Sequence, residues 1–138
     1  METESIETAQ AFYRAIHSQN FDALFSVLAD DCVIEFYGPA SIPFSGIFNG
    51  KEKCRIFFGH VANDVDIMEF RQDDFLSGAD QIAVTGHLTL RFHETNAVYD
   101  SDYVHVITVK DNQITRFRDF QNSAKAAHVC ADLETPVR

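Results

Sequence analysis

The sequence predicts an α+β fold in which N-terminal helices pack on a strongly bent, antiparallel sheet. Three observations carry this. Helix-spaced apolar residues fill the first part of the chain and long alternating strands fill the rest, an order unlike the βα alternation of a parallel sheet. The strands are joined by short, turn-like segments, which makes neighbours antiparallel. The last hairpin sets a histidine and an aspartate into an apolar row, and a bent sheet wrapped around helices would enclose a cavity at that place.

Ile6, Ala9, Phe12, Tyr13 and Ile16 recur at helical spacing and predict an amphipathic helix over about 4–19, ended by Asn20. Phe21, Leu24, Phe25 and Leu28 repeat the pattern over a shorter helix, closed by Asp30 and Asp31. Residues 32–37 then read as a short strand stopped by Gly38-Pro39. The connection over 40–50 contains Ile42, Phe44, Ile47 and Phe48, too apolar to lie free in solvent, so it is expected to fold back over an apolar surface. A third helix over about 51–61 should bury Ile56, Phe57 and Val61. Four strands follow, over about 65–76, 81–93, 98–109 and 114–121. In the second of these, Ile82, Val84, Leu88, Leu90 and Phe92 alternate with polar or small residues, and Gly86 interrupts the buried row where the sheet is expected to bend. A C-terminal helix is expected over about 122–130 and a loose tail beyond it.

The register of the last hairpin decides whether a site exists. Tyr103, His105, Ile107 and Val109 share one face of their strand, as do Thr115, Phe117, Asp119 and Gln121 on the partner. A three-residue loop, 111–113, with Asn112 or Gln113 left-handed, opposes residue 110 to 114 and His105 to Asp119. A two-residue loop turns Asp119 to the other face. The hydrophobic pattern favours the first register.

The 138 residues suit a single domain with a Phe-rich core, since 46% are hydrophobic, thirteen are Phe and none is Trp. A formal charge of −10 without any Lys/Arg run argues against nucleic-acid and anionic-membrane partners. Cys32, Cys54 and Cys130 are odd in number and widely spaced, which suggests neither a disulfide framework nor a zinc site. Reduced thiols, an acidic N-terminus and no long apolar run lead to the expectation of a cytoplasmic protein. No phosphate-cradling glycine loop or nucleophile elbow occurs, so no cofactor and no metal is expected.

Four segments carry a family resemblance: Phe12-Tyr13-Arg14-Ala15-Ile16, Leu28-Ala29-Asp30-Asp31-Cys32-Val33, residues 43–50, and 104–106 taken with 114–119. In this order the chain, over about 5–128, resembles the nuclear transport factor 2-like fold and, within it, the SnoaL-like polyketide cyclase and ketosteroid isomerase-like group. The resemblance implies a cystatin-like cone, with a mixed, mostly antiparallel sheet. SnoaL-like cyclases use an aspartate near the end of the last strand as the acid/base of an aldol ring closure, and a histidine one strand earlier. Asp119 and His105 fall on those positions. Ketosteroid isomerases need a tyrosine and two aspartates where this chain has Phe12, Phe36 and either Val104 or His105. Limonene-epoxide hydrolases need an Arg and an Asp on the central strand, and residues 81–93 contain no aspartate.

The expected activity is therefore acid/base chemistry without a cofactor, of the cyclase, isomerase or dehydratase type, on a small apolar carbonyl compound. Asp119 would move the proton, with His105 and Tyr103 stabilising an enolate. Tyr103, Tyr13, Phe12, Phe36 and Phe117 are the expected substrate-binding residues. The alternative is a non-catalytic ligand-binding or dimerisation module of the same fold. A homodimer is expected because Val104, Val106 and Phe120 lie on the face opposite the pocket.

Overall fold

The computed structural model describes residues 2–131. Helices α1 (Glu2–His17) and α2 (Phe21–Ser26) lead into strands β1 (Leu28–Tyr37) and β2 (Gly46–Asn49), then helix α3 (Lys51–Asp64). The long strands β3 (Val65–Ser77), β4 (Gln81–Phe92), β5 (Val98–Lys110) and β6 (Gln113–Gln121) follow, and α4 (Ser123–Val129) closes the described chain. The tail expected over 132–138 lies outside the described residues.

The α+β class holds. All six strands form one mixed sheet in the order β2-β1-β6-β5-β4-β3, antiparallel throughout except where β1 runs parallel to β6. Helices α1 and α3 pack on its concave side over a core that includes Phe12, Phe57, Phe58, Ile82, Phe92 and Phe117. Three of the helix starts have a local cause. The Asn20 side chain accepts from the Ala23 amide at 3.1 Å and the Asn122 side chain from the Lys125 amide at 3.0 Å, both ordinary N-caps. The chain enters α3 through Gly50 at φ +88°, a conformation that favours glycine.

Several boundaries differ from the sequence expectation. Leu28 does not extend α2. It is fully buried and starts β1, because the Ile114 amide donates to the Val27 carbonyl at 2.7 Å and draws the chain into the sheet. Asp30 and Asp31 therefore lie in an irregular stretch of β1 between Leu28 and Val33. The apolar connection after β1 contains an edge strand, β2, while Ile42 and Phe44 bury themselves as expected of a segment folded over the core. On α3 the buried residues are Cys54, Phe57 and Phe58, and Ile56 is exposed, so the helix is rotated by about one residue from the expected face. Asp73 and Asp74 lie within β3. They sit at a bulge in β3, where Asp73 meets Arg71 at 2.7 Å and Asp74 accepts from Thr85 at 2.8 Å.

The last hairpin reaches the expected pairing by a different route. Its loop has two residues, Asp111 and Asn112, both left-handed at φ +53° and +62°. Lys110 thus opposes Gln113 and Val109 opposes Ile114, which alone would turn Asp119 outward. One extra residue, Thr115, is then inserted as a bulge, and from Thr108–Arg116 onward the register returns to His105 opposite Asp119. The driving force is visible in the burial: Ile114 and Phe117, three positions apart, both face the core. Only a bulge between them permits that.

Candidate functional site

Cross-strand pairing places His105 (β5) beside Asp119 (β6) on the concave face, where they are 2% and 6% exposed. Nε2 of His105 lies 3.3 Å from Oδ1 of Asp119, yet it has no aligned hydrogen-bond partner among the described residues. The opposite ring nitrogen is engaged. The Tyr13 hydroxyl lies 2.6 Å from Nδ1, across 92 residues of chain, and the planes of the two rings are within 8° of each other.

This network assigns the imidazole's tautomer. Burial, with Tyr103 and Asp119 nearby, pushes the Tyr13 phenol well above its ordinary range, so it stays protonated and needs an acceptor. Nδ1 is that acceptor, which leaves the proton of a neutral ring on Nε2. Nε2 lies 3.3 Å from the Asp119 carboxylate without being aligned to it, so its N–H remains free. The carboxylate is held from its other side: Nε2 of Gln121 donates to Oδ1 at 3.1 Å and Oδ2 at 3.2 Å, and Oε1 of Gln121 accepts from the Tyr99 hydroxyl at 2.9 Å. The result is one chain of contacts, Tyr13–His105–Asp119–Gln121–Tyr99.

His105, Asp119 and Gln121 form the polar end of a cavity of about 90 Å³. Phe12, Phe36, Phe44, Phe57, Phe58, Phe70 and Phe117 make up most of the remaining wall, with Ile16, Val61, Ile67, Leu88 and Leu90. Among these, Ile16, Val61 and Phe70 are half-buried and Ile67 is 45% exposed, so the cavity opens between α1, the end of α3 and β3. The segment over 40–48 closes the other end, where Phe44 is buried with its ring edge-on to Phe36 at 5.3 Å and to Phe57 at 6.0 Å.

Of the residues singled out from sequence, Asp119, His105, Phe12, Phe36 and Phe117 all line this cavity. Tyr13 and Tyr103 do not. They stand behind the imidazole, and Tyr103 stacks on it at 4.1 Å. The Tyr103 hydroxyl is committed elsewhere, donating to the Arg71 carbonyl at 2.7 Å and accepting from Gln72 at 3.0 Å, so it has no proton to offer an enolate. Both tyrosines contact His105 and neither lines the cavity. Gln121 went unassigned although period-two alternation from Asp119 puts it on the same face. Tyr99, reached only through Gln121, left no local signal.

The other titratable groups form no second constellation. Among the described residues no group of three or more His, Cys, Asp or Glu side chains is arranged to hold a metal. His87 pairs with Asp102 at 2.8 Å and Asp100 at 3.2 Å on the outer face, and the three cysteines are free and buried. No described helix is long and apolar enough to cross a membrane.

A helix-covered, curved mixed sheet in this strand order is the nuclear transport factor 2-like fold. Within that class, a family profile described as the SnoaL-like domain matches residues 9–117, and the chain belongs to this family. Solved structures agree on the fold. A nuclear transport factor 2-like protein from Burkholderia xenovorans LB400 superposes with a TM-score of 0.85 at 22% identity, over 94% of this chain and 98% of that one. An epoxide hydrolase from M. tuberculosis, of the limonene-epoxide hydrolase-like type, gives 0.75 at 19% identity over 95% and 92%. A protein of unknown function with a cystatin-like fold from Xanthomonas campestris gives 0.74 at 19% over 91% and 95%. No curated protein matches in sequence.

Proposed function

We propose that this SnoaL-like protein is a cofactor-independent acid/base enzyme acting on a small, apolar carbonyl compound. The observation that carries this reading is a buried imidazole N–H without a hydrogen-bond partner, beside a buried carboxylate, at the polar end of an apolar cavity. With the substrate oxygen on Nε2–H of His105, the Asp119 carboxylate takes the proton from the adjacent carbon. The electron pair of the broken C–H bond moves into the carbonyl, and Nε2–H stabilises the enolate oxygen. Asp119 then returns the proton to another carbon in an isomerisation. In a ring closure the enolate carbon attacks a second carbonyl, and the proton goes to the new alkoxide.

The test is incubation of carbonyl compounds with the protein in D₂O, following loss of the α-proton signal by NMR. Exchange by the wild type that falls roughly 10²–10⁴-fold in Asp119→Asn supports the reading. Equal exchange by both would sink it.

A second reading is favoured by the seven phenylalanines that narrow the cavity: a ligand-binding module without turnover. That protein would bind apolar compounds in both forms and exchange no protons. In either case the occupant is a small apolar molecule, and the outer sheet face suits a second copy of the chain. Val104 and Phe120 are each 38% exposed there, and Tyr37 stacks on Phe120 at 4.9 Å.

A further inference from the structure

The cavity also restricts what can enter it. We propose that its ligand is an uncharged molecule with no more than one ring inside the walls and one oxygen seated against His105 Nε2. This rests on the site described above but not on turnover at that site.

Size is the first constraint. A protein cavity of roughly 150 Å³ holds one benzene ring. At about 90 Å³ this cavity is smaller than that, so one ring fills it to its mouth beside Ile67 and a second fused ring does not fit. The wall cannot easily retreat, because Phe57 is packed edge-on against Phe58 at 5.0 Å and Phe48 at 5.3 Å, and Phe12 against Tyr13 at 5.1 Å.

Charge is the second. No lysine or arginine lines the cavity, and Asp119 is its one fixed charge. The nearest cations along the sheet, Arg116 and Arg118, project from the opposite face. Arg116 is paired with Glu35, and Arg118 lies over Phe120 at 5.7 Å. An anionic ligand would bring a second negative charge into an apolar enclosure beside a carboxylate, with one N–H to meet it.

Polarity is the third. Nδ1 of His105 is taken by Tyr13 and the amide of Gln121 by Asp119 and Tyr99, so the free donor of the lining is Nε2–H. One ligand oxygen satisfies it. A second oxygen away from the polar end would meet only phenylalanine and aliphatic side chains.

The experiment uses the full chain with ¹⁵N-labelled histidine, titrated with phenol, cyclohexanone, toluene, benzoate and 2-naphthol while the His105 ring signals are followed by NMR. Phenol and cyclohexanone should bind saturably and shift the Nε2 resonance. Toluene should leave that resonance in place. Benzoate and 2-naphthol should bind at least about tenfold more weakly than phenol. Benzoate binding as tightly as phenol overturns the charge constraint, and 2-naphthol binding as tightly overturns the size constraint. Phenol leaving Nε2 unmoved overturns the seating of the oxygen. Phenol bound as expected with no α-exchange would retain this inference and remove the enzymatic reading. Exchange confined to two-ring ketones would do the reverse.

Discussion

Gly86→Ala should destabilise this protein more than any exposed-surface change, and the structure supplies the magnitude. Gly86 pairs with Gln72 on β3 and with Tyr103 on β5, next to the β3 bulge. A methyl group built on it would lie 1.9 Å from the Arg71 carbonyl oxygen, 2.5 Å from the Tyr103 hydroxyl and 2.6 Å from its Cζ. The tyrosine could swing away only by leaving its stack against His105. The carbonyl belongs to the backbone and can move only if β3 separates from β4. Overpacking of this kind costs about 1–3 kcal/mol. Loss of the buried Tyr103-to-Arg71 hydrogen bond adds about 1–3 kcal/mol, for a total of about 2–6 kcal/mol. Urea denaturation followed by circular dichroism measures it, and a fall in Tm of roughly 10 °C should accompany it. The double variant Gly86→Ala/Tyr103→Phe should not recover, because the Arg71 carbonyl still blocks the methyl. A loss below about 1 kcal/mol, or recovery in the double variant, would refute this account of why the position is glycine.

Removing the buried donor in Tyr13→Phe should cost about 1–3 kcal/mol of stability. It should also broaden the His105 ring-nitrogen spectrum from one tautomer to a mixture; an unchanged spectrum would mean that Tyr13 does not set the proton position. Hydrogen bonds from Arg116 and Tyr37 hold the Glu35 carboxyl below its ordinary range, so its folded value lies under its unfolded one. The stabilisation is therefore complete above the usual glutamate range and lost as pH falls through the folded value. Because the Arg116 side chain is 45% exposed, Glu35→Gln should cost only about 1 kcal/mol at pH 7, and the difference from wild type should shrink in urea titrations as pH falls below the usual glutamate range. Phe120→Glu should leave a sedimenting species of half the mass if the outer face joins two copies; a wild-type monomer at micromolar concentration would end that proposal.

Much of the site was legible locally. Alternation along β5 and β6 put His105, Phe117 and Asp119 inward, because side chains on a strand have a period of two and one face must be dry. The same reasoning reaches Gln121. It fails at Tyr13, whose partner lies 92 residues away. It also misjudged Tyr103, since nothing in β5 itself reveals that a glycine on the neighbouring strand lets its ring and hydroxyl settle toward β3. Phe44 was recognisable as an apolar residue seeking cover, but not as part of the cavity wall.

By itself the sequence determined the fold class, the order of elements, the buried face of the long strands and the presence of a carboxylate and an imidazole on that face, all set by interactions within a few residues. Tertiary structure alone decided the rest. The hairpin closes with a two-residue turn and is brought back into register by a bulge at Thr115, because burying both Ile114 and Phe117 outweighs an unbroken ladder. The mouth lies between α1, α3 and β3, because Phe44 seals the far end against Phe36 and Phe57. The proton on His105 is placed by Tyr13, because packing α1 over β5 leaves a buried phenol one acceptor within reach.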